Sequence, residues 1–147
     1  MATDSSSDAS TSGASCPAPT PPLSTFLRLE ALSMTALSAV LYARSGASWW
    51  LFAAFWLAPD LSMLGYLIDS CWGARAYNAV HTYVTPATLA IAALLLHHAP
   101  LLPFALIWAN HIGVDRLLGY GLKYPQGFGW THLGKLGRRA DASPASV

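Results

Sequence analysis

The stretch Trp108-Ala-Asn-His-Ile-Gly-Val-Asp-Arg-Leu-Leu-Gly-Tyr-Gly-Leu-Lys-Tyr-Pro125 closes an apolar run that begins at Pro100. The run from Pro100 to Tyr120 is long enough for a helix that enters a bilayer. Asn110, His111, Asp115 and Arg116 lie on that one helix. His111 and Asp115 are four residues apart, so they share a face one turn from each other. Ionisable groups inside a hydrocarbon span are costly, which marks each as a functional-site candidate.

Three further apolar runs precede it. The first spans Phe26 to Tyr42, the second Ser48 to Ile68 with Pro59-Asp60 inside, and the third Tyr77 to His98 with Pro86 inside. The connections are short: Arg44 to Ala47, Asp69 to Arg75, and His97 to Pro100. Short links between long helices predict antiparallel neighbours. The expected fold is therefore all-α, an antiparallel bundle of four transmembrane helices over residues 25–134. A disordered Ser/Ala/Pro-rich tail over residues 1–24 precedes it, and a flexible basic tail over 135–147 follows. The N-terminal tail lacks the basic and apolar regions of a secretory signal.

Composition agrees. Charged residues make up 10% of the 147-residue chain and hydrophobic residues 54%, against roughly 25% charged in a soluble domain. A soluble bundle would need polar outer faces, and Trp49 to Ala58 and Ala87 to Leu96 offer none. A net charge of +1 with no concentrated basic patch argues against nucleic acid as a partner. Cys16 and Cys71 form no metal or disulfide motif. Lys123, Lys135, Arg138 and Arg139 follow the fourth run, Arg28 opens the first, and Arg75 lies between the second and third. Only Arg44 is on the other side, so the expected orientation puts both termini in the cytoplasm.

At a rise of about 1.5 Å per residue, the polar groups of all four runs fall within roughly 5–15 Å of the cytoplasmic interface. Glu30, Asp60, His81, His111 and Asp115 are the candidate catalytic residues of that layer. Carboxylates in low dielectric and imidazoles near neutrality suit proton transfer. Asn78, Asn110, Arg116, Tyr66, Tyr77 and Lys123 are candidates for binding substrate. The expectation is acid–base chemistry on a lipophilic substrate that arrives from membrane lipid: isomerisation, epoxide opening or cyclisation. In epoxide opening, Asp60, Arg116 and Asp115 would activate water.

No motif demands a cofactor. The competing reading is a divalent metal held by His81, His111, Asp115 and Asp60, a mixed set that suits iron, manganese or zinc. A proton-linked transporter, a non-catalytic partner subunit and a homo-oligomer also stay open. Each polar residue has a structural reading as well, since a membrane histidine often only bonds a neighbouring helix. Gly113, Gly119 and Gly121 are expected to let helices approach closely. Lys123 and His132 are expected at the cytoplasmic mouth, near lipid phosphate or substrate.

Three segments carry a resemblance. Leu57-Ala-Pro-Asp-Leu-Ser-Met-Leu-Gly-Tyr66, Tyr77-Asn-Ala-Val-His-Thr-Tyr83 and His111 to Pro125 together resemble a family of small four-helix membrane proteins, a domain of unknown function. The resemblance covers about Leu27 to Gly134. It implies a multi-pass membrane protein in which these polar positions belong to the family's pattern. It implies no activity.

Overall fold

A computed structural model describes residues 21–123, 130–131 and 134–135. Five α-helices form: α1 (Pro21–Arg44), α2 (Trp49–Phe55), α3 (Ser70–Val80), α4 (Val84–Leu95) and α5 (Leu102–Leu118). Two 3₁₀ segments, Ala58–Leu67 and Ala99–Leu101, lie between them. Two strands of two residues each, β1 (Trp130–Thr131) and β2 (Gly134–Lys135), pair antiparallel. Apart from that pair the described chain is helical. Lys135, expected in the C-terminal tail, belongs to β2.

Two stretches are long and apolar enough to cross a membrane, Leu23–Arg44 and Trp49–Leu67. A third qualifies if α3 and α4, bent by 42°, count as one span. α5 has 17 residues, short of the roughly 20 that cross a bilayer unaided. Many large apolar side chains point outward, among them Trp50 (85% exposed) and Leu67 (83% exposed). In water that surface would drive aggregation.

Several boundaries differ from expectation. α1 begins at Pro21, because proline is tolerated in a first helical turn; residues 21–24 are therefore helix, and the expected tail over 1–20 lies outside the described residues. The second apolar run is not one α-helix. α2 ends at Phe55, and a ten-residue 3₁₀ segment with Pro59 near its start carries Asp60. The segment Asp69–Arg75 is not a loop. Asp69 Oδ1 accepts the Trp72 N–H at 2.7 Å and caps α3, which starts at Ser70. Gly73 lies inside this helix, and the Tyr66 ring occupies the place where its β-carbon would be.

The third run breaks between α3 and α4. Pro86 sits in the first turn of α4, where its missing N–H is harmless but its ring excludes a helical carbonyl at Thr82. The carbonyls freed by the break find other donors: Thr85 Oγ1 donates to Ala79 O at 2.6 Å, and Trp108 Nε1 to Val80 O at 2.9 Å. His81 stands at the break.

α1 packs chiefly on α5, and the long 3₁₀ segment on α3. A β-carbon at Gly113 of α5 would collide with Thr35 Oγ1 and lie 3.2 Å from Thr35 N, so this glycine sets the closeness of the two helices as expected. Gly119 does something else. With φ of 96° it caps α5 in the left-handed conformation, and its nearest neighbour is only Arg28 Nη2 at 3.9 Å. Tyr42, fully buried, closes the α1–α2 turn: its hydroxyl donates to Ser48 O at 2.6 Å, and its ring meets Trp49 and Phe52.

Candidate functional site

Asp60 from the 3₁₀ segment, His81 from the α3–α4 break, and His111 and Asp115 from α5 converge on one point. Their ligand-type atoms all lie within 4.8 Å of one another. His81 Nε2 is 3.3 Å from His111 Nε2, 3.4 Å from Asp60 Oδ1 and 3.6 Å from Asp115 Oδ2. His111 Nε2 is 3.5 Å from Asp60 Oδ1 and 3.7 Å from Asp115 Oδ2. Both imidazoles are buried, Asp115 is 18% exposed and Asp60 37%.

The orientation of His81 is held by backbone. Its Nδ1 lies 3.0 Å from Tyr77 O, one turn earlier on α3. A carbonyl only accepts, so Nδ1 carries the proton and the Nε2 lone pair faces the cluster. The Tyr77 ring stacks on the imidazole, centroids 3.7 Å apart, and its hydroxyl donates to Asp115 Oδ2 at 3.3 Å. One tyrosine therefore steadies a histidine and a carboxylate together. His111 is placed differently. The Trp56 ring meets it edge-on at 5.1 Å, and its Nδ1 has no hydrogen-bond partner among the described residues.

Asp60 and Asp115 bring two carboxylates into a mostly buried volume. Such groups need protons or cations nearby. Lys123 is one source. It is 3% exposed, and its ammonium lies over the Tyr77 ring at 4.8 Å. Burial pushes this ammonium below its ordinary pKa, while Asp115 and Asp60 act to keep it charged. Asn78 holds the backbone there, donating to Lys123 O at 2.8 Å and accepting from Lys123 N at 2.7 Å. Lys123 thus folds inward toward the cluster instead of outward to lipid phosphate, and His132 lies outside the described residues.

The remaining expected residues are elsewhere. Glu30 is exposed on α1 and outside the cluster. Asn110 is a structural pin: it donates to Thr35 O at 3.0 Å and Ser38 Oγ at 3.2 Å, and accepts from Trp56 Nε1 at 3.1 Å. The Arg116 guanidinium covers the Tyr83 ring at 4.4 Å. Tyr66 is half-buried with its ring on Gly73. Trp56 was not anticipated. Its signal was its place one turn before Asp60 in the same apolar run.

Beside the cluster is an apolar cavity of about 480 Å³. Pro59 and Leu61, which flank Asp60, line it, as do Val80 just before His81 and Ile107 one turn before His111. Phe55 and Phe104, in edge-to-face contact at 5.1 Å, form another part of the wall.

The model of one protein family, described as Domain of unknown function (DUF4260), matches residues 24–136. No curated protein and no solved structure matches the chain.

Proposed function

The chain belongs to this DUF4260 family, and we propose that it is a multi-pass membrane enzyme that binds a divalent metal at His81, His111, Asp115 and Asp60. Its reaction would be acid–base chemistry on a lipophilic substrate. The observation that carries the metal is the set of separations among the four side chains. An ion with bonds of about 2.0–2.2 Å sits in a tetrahedron with edges of roughly 3.3–3.6 Å. Five of the six separations here run from 3.3 to 3.7 Å, and the sixth, between the carboxylates, is within 4.8 Å.

The chemistry of the donors fits too. Two imidazoles and two carboxylates suit zinc, iron or manganese. A metal-binding imidazole normally donates its other nitrogen to a carbonyl or carboxylate, as His81 does to Tyr77 O. A dication would also balance the two aspartates. It would supply a Lewis acid for a substrate oxygen. The protein would supply the rest. His81, His111 and Asp115 would be the inner ligands, with Tyr77 fixing two of them. Asp60, the most exposed of the four, would move a proton on the cavity side or complete the ligand set.

The proposed topology has four antiparallel spans: α1, α2 with its 3₁₀ segment, α3 with α4, and α5 with the 3₁₀ turn before it. The Lys/Arg bias would place both termini in the cytoplasm.

Metal analysis of detergent-purified full chain tests the central point, with wild type beside His111→Ala and Asp115→Asn. The expected result is about one equivalent of a transition metal per chain, lost in both variants while helicity is kept. Asp115→Asn is nearly isosteric, so it remains informative if His111→Ala misfolds. Folded wild-type protein that takes up no metal, even after incubation with zinc, iron(II) and manganese, would refute the metal.

A further inference from the structure

We propose that the 480 Å³ cavity beside the cluster is the substrate site, and that it takes a bilayer-dissolved amphiphile with one apolar chain and a single uncharged oxygen group at its end. This rests on the membrane-enzyme reading above and names the substrate class.

The size is that of a small-molecule pocket, about 300–1,000 Å³ in general. No residue lining it is charged, so an ionic ligand would enter without compensation. In the proposed topology the opening would face the bilayer. Its rim includes Phe55 (45% exposed) and Leu61 (66% exposed), both within the apolar stretch Trp49–Leu67. Three wall residues, Pro59, Val80 and Ile107, are each adjacent to or one turn from a cluster residue in the chain, and the proposed site would meet the cluster there. A chain that slides in from the acyl layer would therefore bring one end to Asp60.

The oxygen group follows from Ser62. Ser62 lines the cavity, and its buried hydroxyl has no hydrogen-bond partner among the described residues. An unmade bond at a buried hydroxyl is costly, and an alcohol or carbonyl oxygen would complete it. Selectivity also has to come from there. Lipid tails are as apolar as the cavity wall, so moving a hydrocarbon from bilayer to cavity gains little.

The test uses the full chain in phosphatidylcholine nanodiscs and a hexadecanol probe with a diazirine in its tail. After irradiation, labelled peptides are mapped by mass spectrometry. Labelling is expected on the segments that carry Phe55, Leu61 and Phe104. Hexadecanol should compete about tenfold better than hexadecane, the factor of one hydrogen bond. Leu89→Trp, which fills the cavity, should abolish the labelling. Ser62→Ala should erase the preference for the alcohol, and it carries the test if Leu89→Trp does not fold.

Equal competition by hexadecane, or labelling spread evenly over the outer helix faces, would overturn the proposal. Metal content measured on the same samples separates the two claims. Selective labelling of metal-free protein refutes the ion and keeps the cavity, whereas a bound metal with unselective labelling refutes the cavity alone.

Discussion

Two imidazoles with Nε2 atoms 3.3 Å apart can coexist in two ways: one donates to the other, or both turn lone pairs to a shared cation. Because Tyr77 O holds the Nδ1 proton of His81, His81 is an acceptor in either case. The residue that matters most beyond the four is therefore Tyr77. Tyr77→Phe keeps the stacking on His81 but removes the bond to Asp115. It should leave the protein folded and weaken metal affinity roughly 10–100-fold, the usual effect of losing an outer-shell partner; a chelator-competition titration measures it. An unchanged affinity would mean that Asp115 is held by other contacts. At this scale the sequence was informative about depth and silent about direction. Counting residues from the span ends put Asp60, His81, His111 and Asp115 in one layer, and they meet. The same count put Glu30 there, but Ala31 is the buried neighbour, and one residue is about 100° of helix rotation. Glu30 accordingly faces outward.

The elements of the site are held by breaks and close contacts more than by regular helix. The break at Pro86 presents His81 at the end of α3, and the 3₁₀ segment presents Asp60. Neither is visible as periodicity, since apolar residues fill most positions of these runs and leave no continuous polar face to set a phase. Prolines marked both places, which is why Pro59 and Pro86 could be read as irregularities but not as the ends of particular helices. Asp69 shows the opposite error: a polar cluster was taken for a loop when it was a cap. Gly113 was the more legible as a close-contact glycine, although its partner helix, α1, was not. Gly113→Val should force the helices apart against Thr35 N and Ala31 O, both backbone atoms that cannot swing aside. Overpacking of this kind costs roughly 1–3 kcal/mol. The expected outcome is a lower thermal midpoint in detergent, together with loss of the Asn110 bonds to α1. Unchanged stability would mean that α1 and α5 separate freely and that Asn110 is not a pin.

For the whole molecule the composition decided the solvent, and lipid-type outer faces follow from it. The number of spans did not, because α5 is short and α3 and α4 are bent. Four antiparallel spans predict that the α1–α2 turn and the start of α3 lie on opposite sides. In a Cys16→Ser background, exposed Cys71 should react with a membrane-impermeant maleimide only from the cytoplasmic side of sealed vesicles. In a Cys16→Ser, Cys71→Ser background, Ser45→Cys should react only from the other side. Labelling of both from one side would contradict the topology. The central claim, however, is the metal, and X-ray absorption at the edge of the bound metal tests it most directly. The expected result is an inner shell of nitrogen and oxygen at about 2.0–2.2 Å, with outer-shell scattering from two imidazoles, and a metal that His81→Ala loses. A shell without imidazole, or one that His81→Ala leaves unchanged, would contradict it.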